Sequence, residues 1–209
     1  MRSLHEINEL LKAEYGETSL DFTDKGAASG HSYIDFYANY MNLKQSNARL
    51  LEVGISSGGS ALLWSKYFEK YDLQAFDYLD TFASKTPFQQ ELLDNPHIKL
   101  TFGQSSFDPE WAKSFEDNYF DFIIDDGDHS PQGQWQTFQL YYPKLKQGGV
   151  YFVEDVINKD VAEELAQHLT TYLEALGEPF EIDTYVGWRI EEGRHDDVII
   201  HIKKGGALT

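Results

Sequence analysis

Two apolar runs end in residues that could hold a metal and move a proton. Phe120-Asp-Phe-Ile-Ile-Asp-Asp-Gly127 closes on Asp125 and Asp126, with His129 three residues beyond Asp126, and Gly149-Val-Tyr-Phe-Val-Glu-Asp155 closes on Glu154 and Asp155. A single helical stretch separates the runs, so as strands of one parallel sheet they are expected to be neighbours, roughly 4.8 Å apart. Asp126, Glu154 and Asp155 would then crowd one rim, where carboxylates repel unless a cation joins them. Oxygen ligands and a chain without Cys point to a hard ion, Mg²⁺ or a similar divalent cation. Each acid could instead cap the helix that follows it. His129, beside Asp126 at such a metal, has the place of a general base, whereas His168 and His201 have no comparable setting.

A third apolar run, Arg49-Leu-Leu-Glu-Val-Gly-Ile-Ser-Ser-Gly-Gly-Ser60, reads as strand, glycine-rich turn and helix start. Such a turn brings backbone close to a ligand and presents free N–H groups at the helix N-terminus. The dinucleotide spacing G-x-G-x-x-G fits at only two of three positions, because Ser56 stands where glycine is needed. The S-adenosylmethionine spacing, acid-x-G-x-x-x-G, is met by Glu52, Gly54 and Gly58, while a tight turn without a ligand is the simpler alternative. Asp77 ends the next run about 20 residues on, where an acid commonly binds ribose hydroxyls. With Ser60, with Gln104 and Ser105 after the third strand, and with Asp125, these residues form the expected cofactor set.

The elements that position these residues follow from periodicity. Strands are expected near 49–55, 73–78, 97–103, 120–126, 148–154, 180–186 and 197–203, and helices near 60–70, 88–94, 108–116, 132–145 and 159–176. Their alternation predicts an α/β fold, a parallel sheet with helices on both faces. The last two strands, joined by a polar stretch around Gly193, should form an antiparallel hairpin. Upstream, residues 3–15 have helical spacing, and Tyr33, Phe36, Tyr37 and Tyr40 fall on one face of a second helix, read as packing onto the main domain. The expected organisation is a helical N-terminal lid over 1–48 and a cofactor-binding domain over 49–209, with Lys25, His31 and Tyr33 of the lid covering cofactor or acceptor.

With 17 Lys+Arg against 35 Asp+Glu, the formal net charge of −18 argues against a nucleic-acid partner. No Cys means no disulfide, thiolate nucleophile or Cys-bound zinc. The expectation is a cytoplasmic protein without a membrane span, acting on a small molecule.

Together these residues resemble the S-adenosylmethionine-dependent methyltransferases of class I, and more closely the macrocin and mycinamicin sugar O-methyltransferases. The resemblance is carried by Thr23-Asp-Lys-Gly with His31 and Tyr33, by Leu51-Glu-Val-Gly with Gly58-Gly-Ser60, and by Ile124-Asp-Asp-Gly-Asp-His129 with Gly148-Gly-Val-Tyr-Phe-Val-Glu-Asp155. It departs at Asp128, where Ser is usual, and at Gly103-Gln-Ser, where Gly-Asp-Gln-Ser is common. The macrolide enzymes also carry an additional N-terminal domain. The resemblance implies a Rossmann-like seven-stranded sheet of order 3-2-1-4-5-7-6 with strand 7 antiparallel. It also implies S-adenosylmethionine as methyl donor, a divalent metal on Asp126, Glu154 and Asp155, and His129 as base. The implied activity is O-methylation of a hydroxyl on a sugar or glycosylated small molecule, with a homo-oligomer left open. Two alternatives stand beside it: a catechol-type O-methyltransferase and a non-catalytic S-adenosylmethionine-binding protein.

Overall fold

The computed structural model describes residues 2–16, 22–26, 30–41, 47–80, 82 and 87–205. Seven strands form one sheet: β1 (Ala48–Val53), β2 (Tyr71–Asp77), β3 (Ile98–Phe102), β4 (Phe120–Asp125), β5 (Leu145–Val153), β6 (Phe180–Val186) and β7 (Val198–Lys204). Their order is β3-β2-β1-β4-β5-β7-β6, with β7 antiparallel to both neighbours and the other contacts parallel. This is the Rossmann-like seven-stranded arrangement.

The central strands are apolar because helices cover both of their faces. Every residue of β4 is buried, including Asp121, whose carboxylate accepts from Arg49 N at 3.0 Å and pairs with Lys146. One face carries α1 (Leu4–Tyr15), α2 (Tyr33–Met41), α3 (Gly59–Tyr67) and α4 (Pro87–Asp94); the other carries α5 (Pro109–Ala112), α6 (Pro131–Tyr141) and α7 (Lys159–Leu176). Helix α7 shows how sequence makes such a layer. Asn158 accepts from Val161 N at 2.9 Å to start it, and Ala162, Leu165, Leu169 and Leu173 bury one stripe. The N-terminal helices join the same apolar core as α3, with Leu4, Ile7, Leu11, Phe36 and Tyr37 packed among Trp64, Phe152 and their neighbours. Among the described residues, no helix is long and apolar enough to cross a membrane.

Register decides where the chemistry lies. Val53 pairs with Phe76 and Asp125, and Asp125 pairs with Val153. The chain therefore leaves four neighbouring strands at one level, as Gly54, Asp77, Asp126 and Glu154. The rim is cross-bonded by Gly54 N to Phe76 O at 2.9 Å, Asp126 N to Val53 O at 2.9 Å and Glu154 N to Asp125 O at 3.0 Å.

Candidate active site

The turn after β1 is built for close backbone approach. Gly54 has φ +93°, and a Cβ there would lie 2.0 Å from the Asp126 carbonyl oxygen. Gly59 opens α3 against Phe22, whose carbonyl a Cβ would meet at 1.7 Å. Ser56 takes φ +48° without being glycine, a costly geometry of the kind held at ligand-binding turns. Asp77 braces this turn: one oxygen accepts from Ile55 N at 2.8 Å and Ser56 N at 3.2 Å, the other from Leu79 N at 2.9 Å.

Over the rim lies a cavity of about 780 Å³. Gly54, Ser60, Asp77, Gln104 and Ser105 line it, and Asp126 and His129 stand in the same wall. Among the walls that sequence reading did not single out are Phe22, Tyr78, Leu79 and Phe107. Tyr78 is 71%, Leu79 60% and Phe107 39% exposed, so large apolar side chains stand uncovered in the loops after β2 and β3. For Tyr78 and Leu79 the available signal was their position directly after the end of β2.

Six of the expected cofactor residues do not line this cavity: Glu52, Gly58, Asp125, Lys25, His31 and Tyr33. Glu52 and Asp125 point into the interior, because they belong to the strands and not to the turns after them. Burial raises Glu52 to about 7, with Lys25, Ser60 and Trp64 opposing. Asp125 is also pushed up by burial, with Tyr151 Oη 3.4 Å away. Gly58 is the N-cap of α3 in the left-handed region, packed near Phe82 and Leu92.

Lys25, His31 and Tyr33 come from the N-terminal segment and grip the acid cluster from inside. Lys25 is fully buried, with Nζ 2.9 Å from Asp126 Oδ2, hydrogen-bonded to Glu154 Oε2 and 3.9 Å from Glu52 Oε1. Burial opposes both charges of the Lys25–Asp126 pair, but their attraction outweighs it. The ammonium is held above its usual range and the Asp126 carboxyl below its own. The Tyr33 hydroxyl donates toward Asp155 Oδ1 at 2.9 Å and accepts from Asp155 N at 3.2 Å, holding a residue with φ +53°. His31 stacks on Tyr33 with centroids 4.4 Å apart and places Nε2 3.1 Å from Asp155 Oδ1. Tyr37 donates to Glu154 Oε1.

On the outer side, His129 Nε2 lies 3.4 Å from Asp126 Oδ1 and Nδ1 lies 3.7 Å from Asp155 Oδ2. Its bond to Asp126 is the largest influence and, with the surrounding carboxylates, raises it to about 9 against burial. Among the described residues, two groups have ligand atoms within 4.8 Å of one another: Asp126, His129 and Asp155; and Asp24, His31 and Asp155. The second faces Arg194, whose Nε is 3.2 Å from His31 Nδ1, whereas the first meets the Lys25 ammonium through Asp126 Oδ2 and leaves Asp126 Oδ1 toward His129, so the first is the better place for a metal. Its two outward carboxylate oxygens are the donor chemistry a hard divalent ion takes. Glu154 belongs to neither group; its oxygens accept from Tyr37 and Lys25.

A family model described as a methyltransferase domain matches residues 51–156, just over half of the chain. One similar protein is the 8-demethyl-8-(2-methoxy-alpha-L-rhamnosyl)-tetracenomycin-C 3'-O-methyltransferase of Streptomyces olivaceus. It is 28% identical over 136 residues, covering 60% of this chain and 32% of that protein. Mycinamicin VI 2''-O-methyltransferase of Micromonospora griseorubida is 24% identical over 127 residues, covering 56% and 29%. The matched part thus spans about a third of these relatives' length. Among solved structures, the MycE methyltransferase from the mycinamycin biosynthetic pathway, in complex with Mg and SAH, aligns with a TM-score of 0.67 and 19% identity. That alignment covers 100% of this chain and 57% of MycE, a likeness of fold.

Proposed function

We propose, from the premise that this chain belongs to the methyltransferase-domain family matched over residues 51–156, that it is an S-adenosylmethionine-dependent O-methyltransferase. Its acceptor is a hydroxyl on a sugar or glycosylated small molecule, and a divalent metal assists. The observation that carries this reading is one cavity with two chemistries in its wall. The Gly54 turn and Asp77 stand with Ser60, Gln104 and Ser105, and Asp126 and His129 line the same space. The acceptor class is supported by relatives named for methylating rhamnosyl and mycinamicin substrates, and the metal by a MycE complex that contains Mg and SAH.

S-adenosylmethionine brings a methyl group already activated on a sulfonium, so the protein must supply an oxygen nucleophile. A divalent ion at Asp126 and Asp155 would make a bound hydroxyl more acidic. His129 stands beside both carboxylates, in place to take the proton once its own is released. Asp77 presents a carboxylate for ribose hydroxyls while bracing the turn. The exposed rings and side chains of Tyr78, Leu79 and Phe107 offer an apolar clamp for a flat base. The 1–48 segment is proposed as a cap whose Phe22, Thr23 and Asp24 form one cavity wall.

The test is transfer of labelled methyl from S-adenosylmethionine to a panel of rhamnosides, mycinamicin-type glycosides and catechols, with Mg²⁺ and with excess chelator. Labelled glycoside in Mg²⁺ and none in chelator is expected. Methylation of catechols alone would move the acceptor class, and full activity in chelator would remove the metal.

A further inference from the structure

A second cavity, of about 670 Å³, opens where the loop after β5 meets the connection between β6 and β7, and Gly30 of the N-terminal segment lines it too. It shares a partition with the cofactor cavity. Asp24 lines the first and Arg194 the second. The buried His31 touches both, with Nε2 3.9 Å from Asp24 Oδ2 and Nδ1 3.2 Å from Arg194 Nε. Gly30 keeps the partition thin, since a Cβ there would lie 2.0 Å from the Asp24 carbonyl oxygen. The same His31 places Nε2 3.1 Å from Asp155 Oδ1, so the second cavity begins one side chain away from the proposed methyl-transfer site.

Small-molecule sites are mostly apolar, with a few polar groups. Here the proportions are reversed: Arg189, Glu192, Arg194, His195 and Asp196 carry ionisable side chains, and Ile157 is the one large apolar residue among the lining. The charges alternate in sign. Arg189 Nη1 lies 3.6 Å from Glu192 Oε2, and Arg194 Nε lies 3.3 Å from Asp196 Oδ1. The Arg189 guanidinium in turn lies over the ring of Trp188, 4.6 Å from its centroid, and Trp188 is 49% exposed.

We infer that this cavity holds the second sugar unit of an oligosaccharide acceptor, next to the ring whose hydroxyl is methylated. This rests on the O-methyltransferase reading above and narrows its acceptor class. An apolar aglycone seated here would strip water from the ionisable side chains and return no hydrogen bond, which is costly. An anionic group drawn to the arginines would meet Glu192 and Asp196 beside them. A sugar hydroxyl both donates and accepts, so a polyol bonds to guanidinium and carboxylate at once. Trp188 and Ile157, the latter 51% exposed, supply apolar surface for the C–H face of a sugar ring. The cofactor cavity has no room for this unit, because S-adenosylmethionine occupies it in the reading above. The second cavity lies beyond His31 and stays open to the acceptor.

The probes are a printed array of di- and trisaccharides with differing terminal sugars, beside the octyl glycosides of those same sugars. The full chain is applied with S-adenosylhomocysteine and Mg²⁺. It should hold at least one oligosaccharide about tenfold or more tightly than the octyl glycoside of the same terminal sugar. Trp188→Ala and Glu192→Ala, both at exposed positions, should each erase most of that preference, while calorimetry with S-adenosylhomocysteine shows wild-type affinity and hence an intact fold. Preference for the octyl glycosides, no saccharide held at all, or an undiminished oligosaccharide preference in both variants would overturn the assignment. Labelled methyl transfer to octyl glycosides without an oligosaccharide preference sinks only this inference. Failure of the wild-type chain to bind S-adenosylhomocysteine sinks the methyltransferase reading beneath it.

Discussion

His129 is the residue on which the acid–base part of the account turns. Its place between Asp126 and Asp155 makes it a cation when no metal is bound, with a pKa of about 9. Asp126→Asn removes the largest cause of that elevation, so in chelator a proton-NMR titration of His129 should shift downward toward the ordinary value of about 6.5. An unchanged titration would show that Asp126 does not set it. His129→Ala should lower turnover by about 10²–10⁴-fold while calorimetry finds unchanged affinity for S-adenosylhomocysteine. A variant with near-normal turnover would remove His129 as the base. At this scale the sequence was legible wherever residues follow each other at a strand end, as Asp126 with His129 and Glu154 with Asp155 do. Lys25 was legible only as part of a motif. The carboxylates it neutralises, Asp126 and Glu154, lie 101 and 129 residues away, a distance no local spacing reports.

At the scale of elements, the strand-to-helix turn after β1 is the most demanding piece of backbone. Gly54→Ala would force φ +93° on a residue with a Cβ and drive that Cβ into the Asp126 carbonyl. The expected cost is about 2 kcal/mol or more in urea unfolding, together with loss of S-adenosylhomocysteine binding. Full stability and affinity in that variant would mean the turn is not the rigid cradle described. Strand positions could be read to within about three residues because central parallel strands are continuous apolar runs. Helix ends were harder. The expected helix over 108–116 stops at Ala112, where Ser114 N bonds to Trp111 O at 2.9 Å and Phe115 N to Ala112 O at 3.3 Å, tighter winding that the apolar pattern does not distinguish. The aromatic face of α2 was read as packing, and Tyr33, Phe36 and Tyr37 are buried. The hydroxyls of Tyr33 and Tyr37 nevertheless reach Asp155 and Glu154, and periodicity tells which face is inward without telling what its polar tips meet.

Across the whole molecule, the sheet joins the N-terminal helices to the last strand, and His201 on β7 records that burial. Packed beside Phe36 and Tyr40, it is lowered by desolvation to about 4. The unfolded chain takes up this proton at about 6.5 and the folded chain only near 4. Its contribution is therefore fully present above about 6.5 and is lost as pH falls toward 4. Between pH 7 and pH 5 this residue should cost about 2 kcal/mol of stability. Urea unfolding of wild type and His201→Gln at both pH values isolates the effect, and an equal loss in both would assign it elsewhere.

The central claim is that the cavity over the Gly54 turn takes S-adenosylmethionine, and titration calorimetry of the full chain with S-adenosylhomocysteine and, separately, NADH tests it most directly. The account predicts one S-adenosylhomocysteine per chain, weakened at least about tenfold by Asp77→Ala through loss of a charge-assisted contact, and no NADH binding. Tight NADH binding without S-adenosylhomocysteine binding would contradict it.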